Sequence, residues 1–299
     1  MTRALRFLFV TVACGVPASA LVAQDANAPR AVECPSCAAW SVPQQPFAVF
    51  GNTYYVGTHG LSAILLTSDS GHVLIDGALP ESAPAIMSSI RALGFRVEDV
   101  RLILNSHAHY DHAGGIAELQ RASGARVAAS PWSAAVITRG QSGPDDPQYG
   151  ILLPYPSAAT ISTIGDGDTL RVGPIAVTAH FTPGHTPGGT TWTWRSCEGT
   201  RCLDIVYADS QSPISSPSFL YSASPAALSN FERSYAVLEH LRCDVLITPH
   251  PGASEFFARI AARDSGGFPA LVDMDACKRF AAKSRETLAQ RLAAERNGK

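Results

Sequence analysis

The sequence predicts an α/β protein in which two β-sheets pack face to face between outer helices, a four-layer αββα sandwich. Three observations lead to this class. Short apolar runs typical of strands are followed by helical patterns, this succession occurs twice along the chain, and no linker-like segment separates the two halves. The chain has 299 residues, 46% of them hydrophobic, which is enough for one full core. We therefore assign residues 47–299 to one domain.

The first half begins with short strand patterns that turn residues separate, which predicts antiparallel neighbours. These patterns lie at residues 47–50, 53–56, 62–67 and 72–77. A helix is predicted over 81–93, ended by Gly94. The apolar run 101–106 predicts a buried strand, followed by a helix to about residue 122 and a strand at 126–130. Residues 139–158 are rich in Gly, Pro and Asp and predict a long functional or mobile loop.

The second half repeats this plan loosely. Its predicted strands lie at residues 169–172, 175–181, 190–194, 203–207 and 244–248. Helical patterns cover about 226–241 and 275–296. Strands followed by helices in both halves favour two sheets, each covered by its own helices.

The N-terminus is typical of a cleaved secretory signal. Arg3 and Arg6 precede an apolar stretch over 7–16, and small residues follow up to Ala23, where cleavage is favoured over Ala20. Lipidation at Cys14 is the less favoured alternative, because the residues before it match the required motif poorly. Residues 1–23 are thus assigned to a signal peptide and 24–46 to an N-terminal arm rich in Pro, Ala and Gln.

The charge of the chain argues against some partners. A formal charge of −2 without a Lys/Arg run makes nucleic acid a poor candidate. Beyond the signal, no apolar run is long enough to span a bilayer, so we expect no membrane association after cleavage. We expect a monomer that acts on a small molecule.

Six cysteines remain without Cys14, and an even number in an exported protein predicts disulfides. Cys197 and Cys202 flank a hairpin-like turn that would let them meet. Cys34 and Cys37 could form a local bridge, a redox motif or half a zinc site. We favour the bridge, because neither the strand and helix of a redox motif nor a second cysteine pair at zinc-site spacing is evident. The other two cysteines are Cys243 and Cys277.

A cluster of metal-ligand residues follows the predicted strand 101–106. Three of the nine histidines of the chain, together with an aspartate, fall within six positions, namely His107, His109, Asp111 and His112. Imidazole and carboxylate are common zinc ligands. Two residues apart in an extended turn, the first two histidines can point the same way, whereas the last two ligands lie past the bend. With Tyr110 as a spacer between them, this spacing predicts two metal ions side by side.

Two further histidines lie just beyond predicted strands. His185 follows 175–181 and His250 follows 244–248, each in a Pro/Gly turn. We predict that His107, His109 and His185 bind one zinc ion, and that Asp111, His112 and His250 bind the other. Three protein ligands per ion leave the open position that a catalytic site requires.

Other polar residues have simpler interpretations. Four histidines are expected to serve in packing or at the surface, namely His59, His72, His180 and His240. Asp76, at a predicted strand end, is either a turn residue or an acceptor that orients a ligand histidine.

The motif His-x-His-x-Asp-His, with His185 and His250 downstream, resembles the metallo-β-lactamase superfamily. The stretches 207–212 and 248–254 resemble its third subclass of class B β-lactamases more closely, and the likeness extends from about Trp40 to the C-terminus. It implies the αββα fold of that superfamily, two zinc ions and a periplasmic location. It also implies a Cys243–Cys277 bridge, a Cys197–Cys202 bridge as in some members, and substrate contacts by Ser210, Ser212 and Gln148.

These observations together predict a β-lactamase that opens the ring of penicillins, cephalosporins and carbapenems, and so gives antibiotic resistance. Zinc-bound water has a pKa of about 7, so a zinc-bound hydroxide would attack the amide, with Asp111 as the catalytic residue that orients it. The alternative is another dinuclear zinc hydrolase, a thioesterase of glyoxalase type or a lactonase. Those relatives commonly add a carboxylate that bridges the metals near the position of Asp209. The choice therefore depends on whether Asp209 or Ser210 faces the metals.

Overall fold

The computed structural model describes residues 34–298. The predicted signal peptide, Cys14 and the first part of the predicted arm lie outside the described residues. Within 34–298 the strands are β1 Phe47–Phe50, β2 Thr53–Tyr55, β3 Ile64–Leu66, β4 His72–Ile75, β5 Val100–Leu104, β6 Arg126–Ala129, β7 Ile161–Thr163, β8 Thr169–Val172, β9 Ile175–Phe181, β10 Thr190–Glu198, β11 Arg201–Tyr207 and β12 Val245–Ile247. The α-helices are α1 Cys37–Trp40, α2 Ala83–Ala92, α3 Tyr110–Ala113, α4 Ile116–Ser123, α5 Pro131–Arg139, α6 Pro225–His240, α7 Phe256–Gly266 and α8 Ala276–Arg296.

The strands form two sheets. The first has the order β1-β2-β3-β4-β5-β6-β7, antiparallel from β1 to β4 and parallel from β4 to β7. The second has the order β12-β11-β10-β9-β8 and is antiparallel except for the parallel pair β11 and β12. The predicted antiparallel pairing of the first four strands is confirmed.

Three hydrophobic clusters hold the layers together. The cluster between the sheets takes side chains from both of them, including Tyr55, Ile75, Leu104, Trp192, Tyr207 and Ile247. A second cluster lies between the first sheet and its helices α2, α4 and α5, and a third between the second sheet and helices α6 and α8. Four layers in the order helix, sheet, sheet, helix confirm the predicted αββα sandwich.

Several elements differ from the prediction. The helical turn α3 within the metal-ligand motif was not predicted, whereas α4 is the helix predicted to follow the motif and begins after Gly114 and Gly115. These two glycines lie so close to residues 77–80 that a side chain would overlap the backbone there. Helices α1, α5 and α7 and the short strand β7 were not predicted either. Residues 141–160 contain no helix or strand, in agreement with the predicted long loop.

All three predicted disulfides are present. They join Cys34 to Cys37, Cys197 to Cys202 at the end of the β10–β11 hairpin, and Cys243 to Cys277 at the start of α8. Among the described residues, none of the helices combines the length and the apolar character that a bilayer crossing requires.

Candidate metal centre

The turn after β5 is fixed by a buried aspartate of the neighbouring strand. Asp76 Oδ1 accepts from the backbone N–H of Ser106 at 2.7 Å, and its Oδ2 accepts from the hydroxyl of the same serine at 2.6 Å. The Tyr207 hydroxyl of the second sheet donates to Asp76 Oδ2 at 2.9 Å. Asp76 has a φ of 63°, so it is itself a left-handed turn residue. Its carboxylate holds the backbone that precedes His107 and lies 4.0 Å from the nearest His112 nitrogen.

The predicted ligands of this turn lie on two backbone conformations, one extended and one helical. His109 is extended, with φ −80° and ψ 156°, and the helical turn α3 begins at the next residue. His107 and His109 therefore lie before the helical turn, whereas Asp111 and His112 lie within it. This geometry agrees with the predicted division of the motif between two neighbouring points.

The first predicted ligand set comes together. One ligand nitrogen from each of His107, His109 and His185 lies within 4.8 Å of the others. All three side chains are buried, and their ring centroids lie 4.8–5.0 Å apart. The structure thus brings a residue after β9 of the second sheet to the turn after β5 of the first.

Each of these imidazoles is oriented by a bond on one ring nitrogen. His107 Nδ1 lies 2.7 Å from Asp209 Oδ1, and His109 Nε2 lies 3.0 Å from Asp146 Oδ2. His185 Nδ1 lies 2.8 Å from the carbonyl oxygen of Ser212. With acceptors at these positions, the opposite nitrogens are left as lone-pair donors that face one another.

The donor set fits a zinc ion. His107 Nε2 is buried and has no hydrogen-bond partner among the described residues, which is costly unless a ligand satisfies it. Three converging imidazole nitrogens are the donor set of many catalytic zinc sites. The metal binding of individual residues stays a prediction.

The second predicted set also converges. Asp111 Oδ2 lies 3.2 Å from His112 Nε2 and 3.3 Å from His250 Nε2, and the two imidazole nitrogens lie 3.2 Å apart. Ligand atoms of Asp111 and His112 also lie within 4.8 Å of one on His107, so both sets form one cluster. The His250 side chain is 33% exposed, compared with 8% for that of Asp111.

The electrostatics of the cluster suit cation binding. Burial lowers the pKa of His107 well below its usual value, as do His112, His109 and His185. Burial and His109 lower the pKa of His185 to about 3. Burial raises the pKa of Asp111, but His112 and His250 more than offset this and hold it well below the usual range. Near neutral pH the cluster therefore offers His107 and His185 as neutral imidazoles and Asp111 as a carboxylate.

Two of the three predicted substrate contacts, Gln148 and Ser212, lie beside the cluster. Gln148 is buried, and its Nε2 lies 3.3 Å from His185 Nε2. Ser212 Oγ lies 3.1 Å from His185 Nδ1, so this serine contacts a predicted ligand through both its hydroxyl and its carbonyl. Ser210 is partly buried. Their contacts with substrate stay predictions.

Asp209 has a different position from that of a bridging carboxylate. It is fully buried, and its bond to His107 Nδ1 places it on the side of the ring away from the other ligands. Gly189 allows this approach, because a Cβ atom there would overlap Asp209 Oδ2.

Sequence reasoning missed Asp146 as the partner of His109, and it missed the role of Asp209 as the partner of His107. Asp146 carried a weak signal, because it stands two residues before Gln148 in a loop already suspected of function.

The remaining histidines lie outside the cluster, as predicted. His72 accepts from the amide of Ser68, and His180 bonds to Thr193. His59 stacks on Phe257, and His240 bonds to the carbonyl oxygen of Ala236.

Tyr110 is more than a spacer. Its hydroxyl donates to Cys34 Sγ at 3.4 Å, and its ring lies 6.3 Å from that of Trp40, which in turn lies 5.2 Å from the ring of His250. The described end of the arm, residues 34–46, is therefore held against the metal centre.

Comparisons with known proteins agree with this geometry. A model of the metallo-beta-lactamase superfamily matches residues 56–250, more than half of the chain. The solved Rm3 metallo-beta-lactamase is 55% identical, with a TM-score of 0.86, over 88% of this chain and 99% of that one. MEM-A1, a subclass B3 metallo-beta-lactamase isolated from a soil metagenome library, is 50% identical, with a TM-score of 0.85, over 87% of this chain and 100% of its own.

A more distant likeness involves a hydroxyacylglutathione hydrolase of Bradyrhizobium sp. (strain ORS 278). It is 29% identical over 129 residues, and the match spans 43% of this chain and only 41% of that relative. The matches to Rm3 and MEM-A1 extend over almost the whole of those proteins, and both are far more similar in sequence. The chain therefore belongs to the metallo-β-lactamase superfamily, and within it to the subclass B3 metallo-β-lactamases.

Proposed function

We propose that this protein is a β-lactamase that uses two zinc ions to hydrolyse the ring amide of penicillins, cephalosporins and carbapenems. The observation that carries the proposal is the position of Asp209, whose carboxylate bonds to His107 Nδ1 instead of joining the ligand cluster. A thioesterase of glyoxalase type would use a carboxylate near this position to bridge its metals. The extensive likeness to metallo-beta-lactamases supports the same choice.

The side chains of the cluster have distinct roles in this proposal. His107, His109 and His185 hold one zinc ion, and Asp111, His112 and His250 hold the other. Bound zinc supplies a Lewis acid and a source of hydroxide near neutral pH. Asp111 remains ionised, so a free lone pair on its carboxylate can accept a hydrogen bond from the nucleophile and orient it. Ser210, Ser212 and Gln148 bind the substrate beside the cluster.

A parallel assay tests the reaction. The zinc-loaded protein is offered a penicillin, a cephalosporin, a carbapenem, a thioester and a lactone. We expect hydrolysis of the β-lactams that chelation abolishes and zinc restores. Turnover of the thioester or the lactone without turnover of any β-lactam would establish the alternative hydrolase and overturn the proposal.

Asp111→Asn tests the proposed catalytic residue. It should lower kcat/KM for β-lactams by about 10²–10⁴-fold, because the carboxylate is lost as both a zinc ligand and a hydrogen-bond acceptor. Asp69→Asn changes an exposed aspartate and serves as the control. Near-normal turnover by the Asp111 variant at full zinc content would contradict the role.

The setting of the enzyme is also a proposal. The signal-like N-terminus and the three disulfides favour the periplasm, where disulfides persist. We further propose that the enzyme acts as a monomer, which light scattering of the zinc-loaded protein tests. A dimer as the dominant species would contradict this.

A further inference from the structure

The last turn of α8 contacts the segment of residues 208–224, which we name the site loop because it contains Asp209, Ser210 and Ser212. The Glu295 side chain is 1% exposed. Its Oε1 accepts from the backbone N–H of Tyr221 at 3.1 Å, and its Oε2 accepts from that of Ser222 at 2.8 Å. One carboxylate thus holds two consecutive amides of the loop.

Arg291, one helical turn earlier, makes a second attachment. Its Nε donates to Glu295 Oε1 at 2.7 Å, and its Nη2 donates to the hydroxyl of Ser215 at 2.8 Å. The arginine therefore fixes the carboxylate and also binds the site loop at another point. Charge-assisted bonds of this kind are stronger than neutral ones and more demanding in geometry.

The site loop has little regular structure of its own. Between β11 and α6 its only helical turn among the described residues is the 3₁₀ turn Tyr221–Ala223. Its course therefore depends on side-chain contacts, among them the Tyr221 hydroxyl, which donates to the carbonyl oxygen of Ile214 at 2.9 Å. Tyr221 is fully buried, so the part of the loop held by Glu295 is also packed into the protein.

Residues 212–216 of the site loop contact residues of the metal centre. The Ser212 carbonyl, three residues before Ser215, accepts from His185 Nδ1. The amide of Ser216 donates to the carbonyl oxygen of Pro147 at 2.8 Å, in the loop that contains Asp146 and Gln148. A displacement of residues 212–216 would therefore alter the orientation of His185 and the position of Gln148.

We propose that Arg291 and Glu295 are positioning residues of the metal centre. Through the site loop, the last turn of α8 sets the Ser212 carbonyl that orients His185 and the attachment that places Gln148 beside it. The effect on substrate rests on the proposed function, whereas the effect on His185 concerns metal affinity and does not depend on the substrate.

Glu295→Gln tests the proposal, because it keeps the shape of the side chain and removes its charge. Glu286→Gln is the matched control, since it changes an exposed glutamate of the same helix. Hydrogen exchange should be faster over residues 212–222 in the Glu295 variant only. Its affinity for zinc, measured by competition with a chromophoric chelator, should fall by up to about tenfold.

The kinetics separate positioning from mere support of the fold. We expect the Glu295 variant to raise KM for a β-lactam several-fold, while kcat per zinc-loaded site stays close to that of the control. A purely structural role would reduce the amount of folded enzyme and leave KM and zinc affinity unchanged. Faster exchange in the loop with unchanged KM and zinc affinity would overturn the proposal, and so would unchanged exchange.

Two provisions keep the test decisive. If Glu295→Gln does not fold, Arg291→Lys keeps the positive charge, removes the fork that binds both Ser215 and Glu295, and is judged by the same measurements. If the wild-type protein hydrolyses no β-lactam, the proposed function fails. Hydrogen exchange and zinc affinity still decide the proposal on positioning.

Discussion

At the scale of single residues, each imidazole of the first predicted set has a hydrogen-bond partner on the ring nitrogen that faces away from the cluster. His107, His109 and His185 bond to an aspartate, another aspartate and a backbone carbonyl, respectively. Such partners fix the tautomer and the ring orientation and raise the basicity of the ligand nitrogen. Affinity for zinc should therefore depend on residues that never touch the metal.

Asp209→Asn should lower the affinity for zinc by about 10–100-fold, because it replaces the carboxylate acceptor behind His107 with an amide and leaves the ligand set intact. Competition with a chromophoric chelator measures the affinity. Asp69→Asn, at an exposed position, is the control and should bind zinc like the wild type. Equal affinities of the two variants would show that the Asp209 carboxyl group is irrelevant to metal binding.

At the scale of elements, α8 is attached at both of its ends. Its first turn contains Cys277, which is bonded to Cys243 just before β12, and its last turn contains Glu295. Both attachments lie on the side of the second sheet, from which His185 and His250 come. The helix thus stabilises the half of the protein that supplies two of the six predicted ligands.

Loss of the Cys243–Cys277 bridge should cost about 2–5 kcal/mol of the free energy of unfolding. The bridge closes a separation of 34 residues, whereas Cys197–Cys202 closes only 5. In the chain-entropy model, this difference makes the longer bridge more stabilising by about 1.5–2 kcal/mol. Denaturant unfolding of the two Cys→Ser double variants measures both effects, and a larger loss at the hairpin bridge would contradict the expectation.

The stability supplied by Glu295 should depend on pH. Burial raises its pKa, but hydrogen bonds from Arg291 and from the Ser222 and Tyr221 residues outweigh this and lower the pKa from 4.5 to about 2. A depressed folded-state pKa stabilises the protein above the unfolded value, and this stabilisation is lost as pH falls towards the folded value.

The difference in free energy of unfolding between wild type and Glu295→Gln should therefore be greatest above pH 4.5, at about 1–3 kcal/mol. It should shrink as pH falls to about 2. Urea unfolding of the chelated proteins at several pH values measures it without a contribution from metal release. A difference independent of pH would refute this account.

The elements also show what sequence can predict. The strands of the sandwich core and α2, α6 and α8 were predictable, because long amphipathic patterns and turn residues define them. Helix α5 was missed although Ser130 caps it, Pro131 begins it and Gly140 follows in a left-handed conformation. Helix α5 directly follows β6 in the sequence, and both segments are rich in small apolar residues. Hydrophobic periodicity therefore did not show where the strand ends and the helix begins.

The metal centre likewise contains residues that could be predicted from the sequence and residues that could not. The convergence of the predicted ligands could be foreseen, because histidines at strand ends form a recognisable pattern. Asp146 was not, since it bonds to His109 across 37 residues from a loop without periodicity. The contacts of Glu295 connect positions more than 70 residues apart and depend on how α8 packs, which no local pattern encodes.

At the scale of the whole molecule, the ligand cluster joins the two sheets. Four predicted ligands follow β5 of the first sheet, while His185 and His250 follow β9 and β12 of the second. Beneath them, the Trp192 indole donates to the carbonyl oxygen of Asn105 at 3.1 Å, and the Thr190 amide donates to that of Ser106 at 2.8 Å. A metal bound here should stabilise the packing of one sheet on the other.

Zinc should therefore raise the melting temperature of the chelated protein. At a free concentration 100 times its Kd, a ligand that binds only the folded state adds about 2.7 kcal/mol to the free energy of unfolding. Calorimetry with and without zinc measures the shift, and magnesium, which prefers oxygen ligands, is the control. Equal melting temperatures in zinc and in chelator would contradict a preformed zinc site.

The exposure of His250 distinguishes the second predicted ligand set from the first. A third of the His250 side chain is accessible to solvent, whereas the three imidazoles of the first set are buried. If both predicted sets hold zinc, as we propose, a chelator should remove the ion of the second set more rapidly than the ion of the first. During chelation the enzyme would then pass through a form with one ion in the first set, which the zinc content measured over time would reveal.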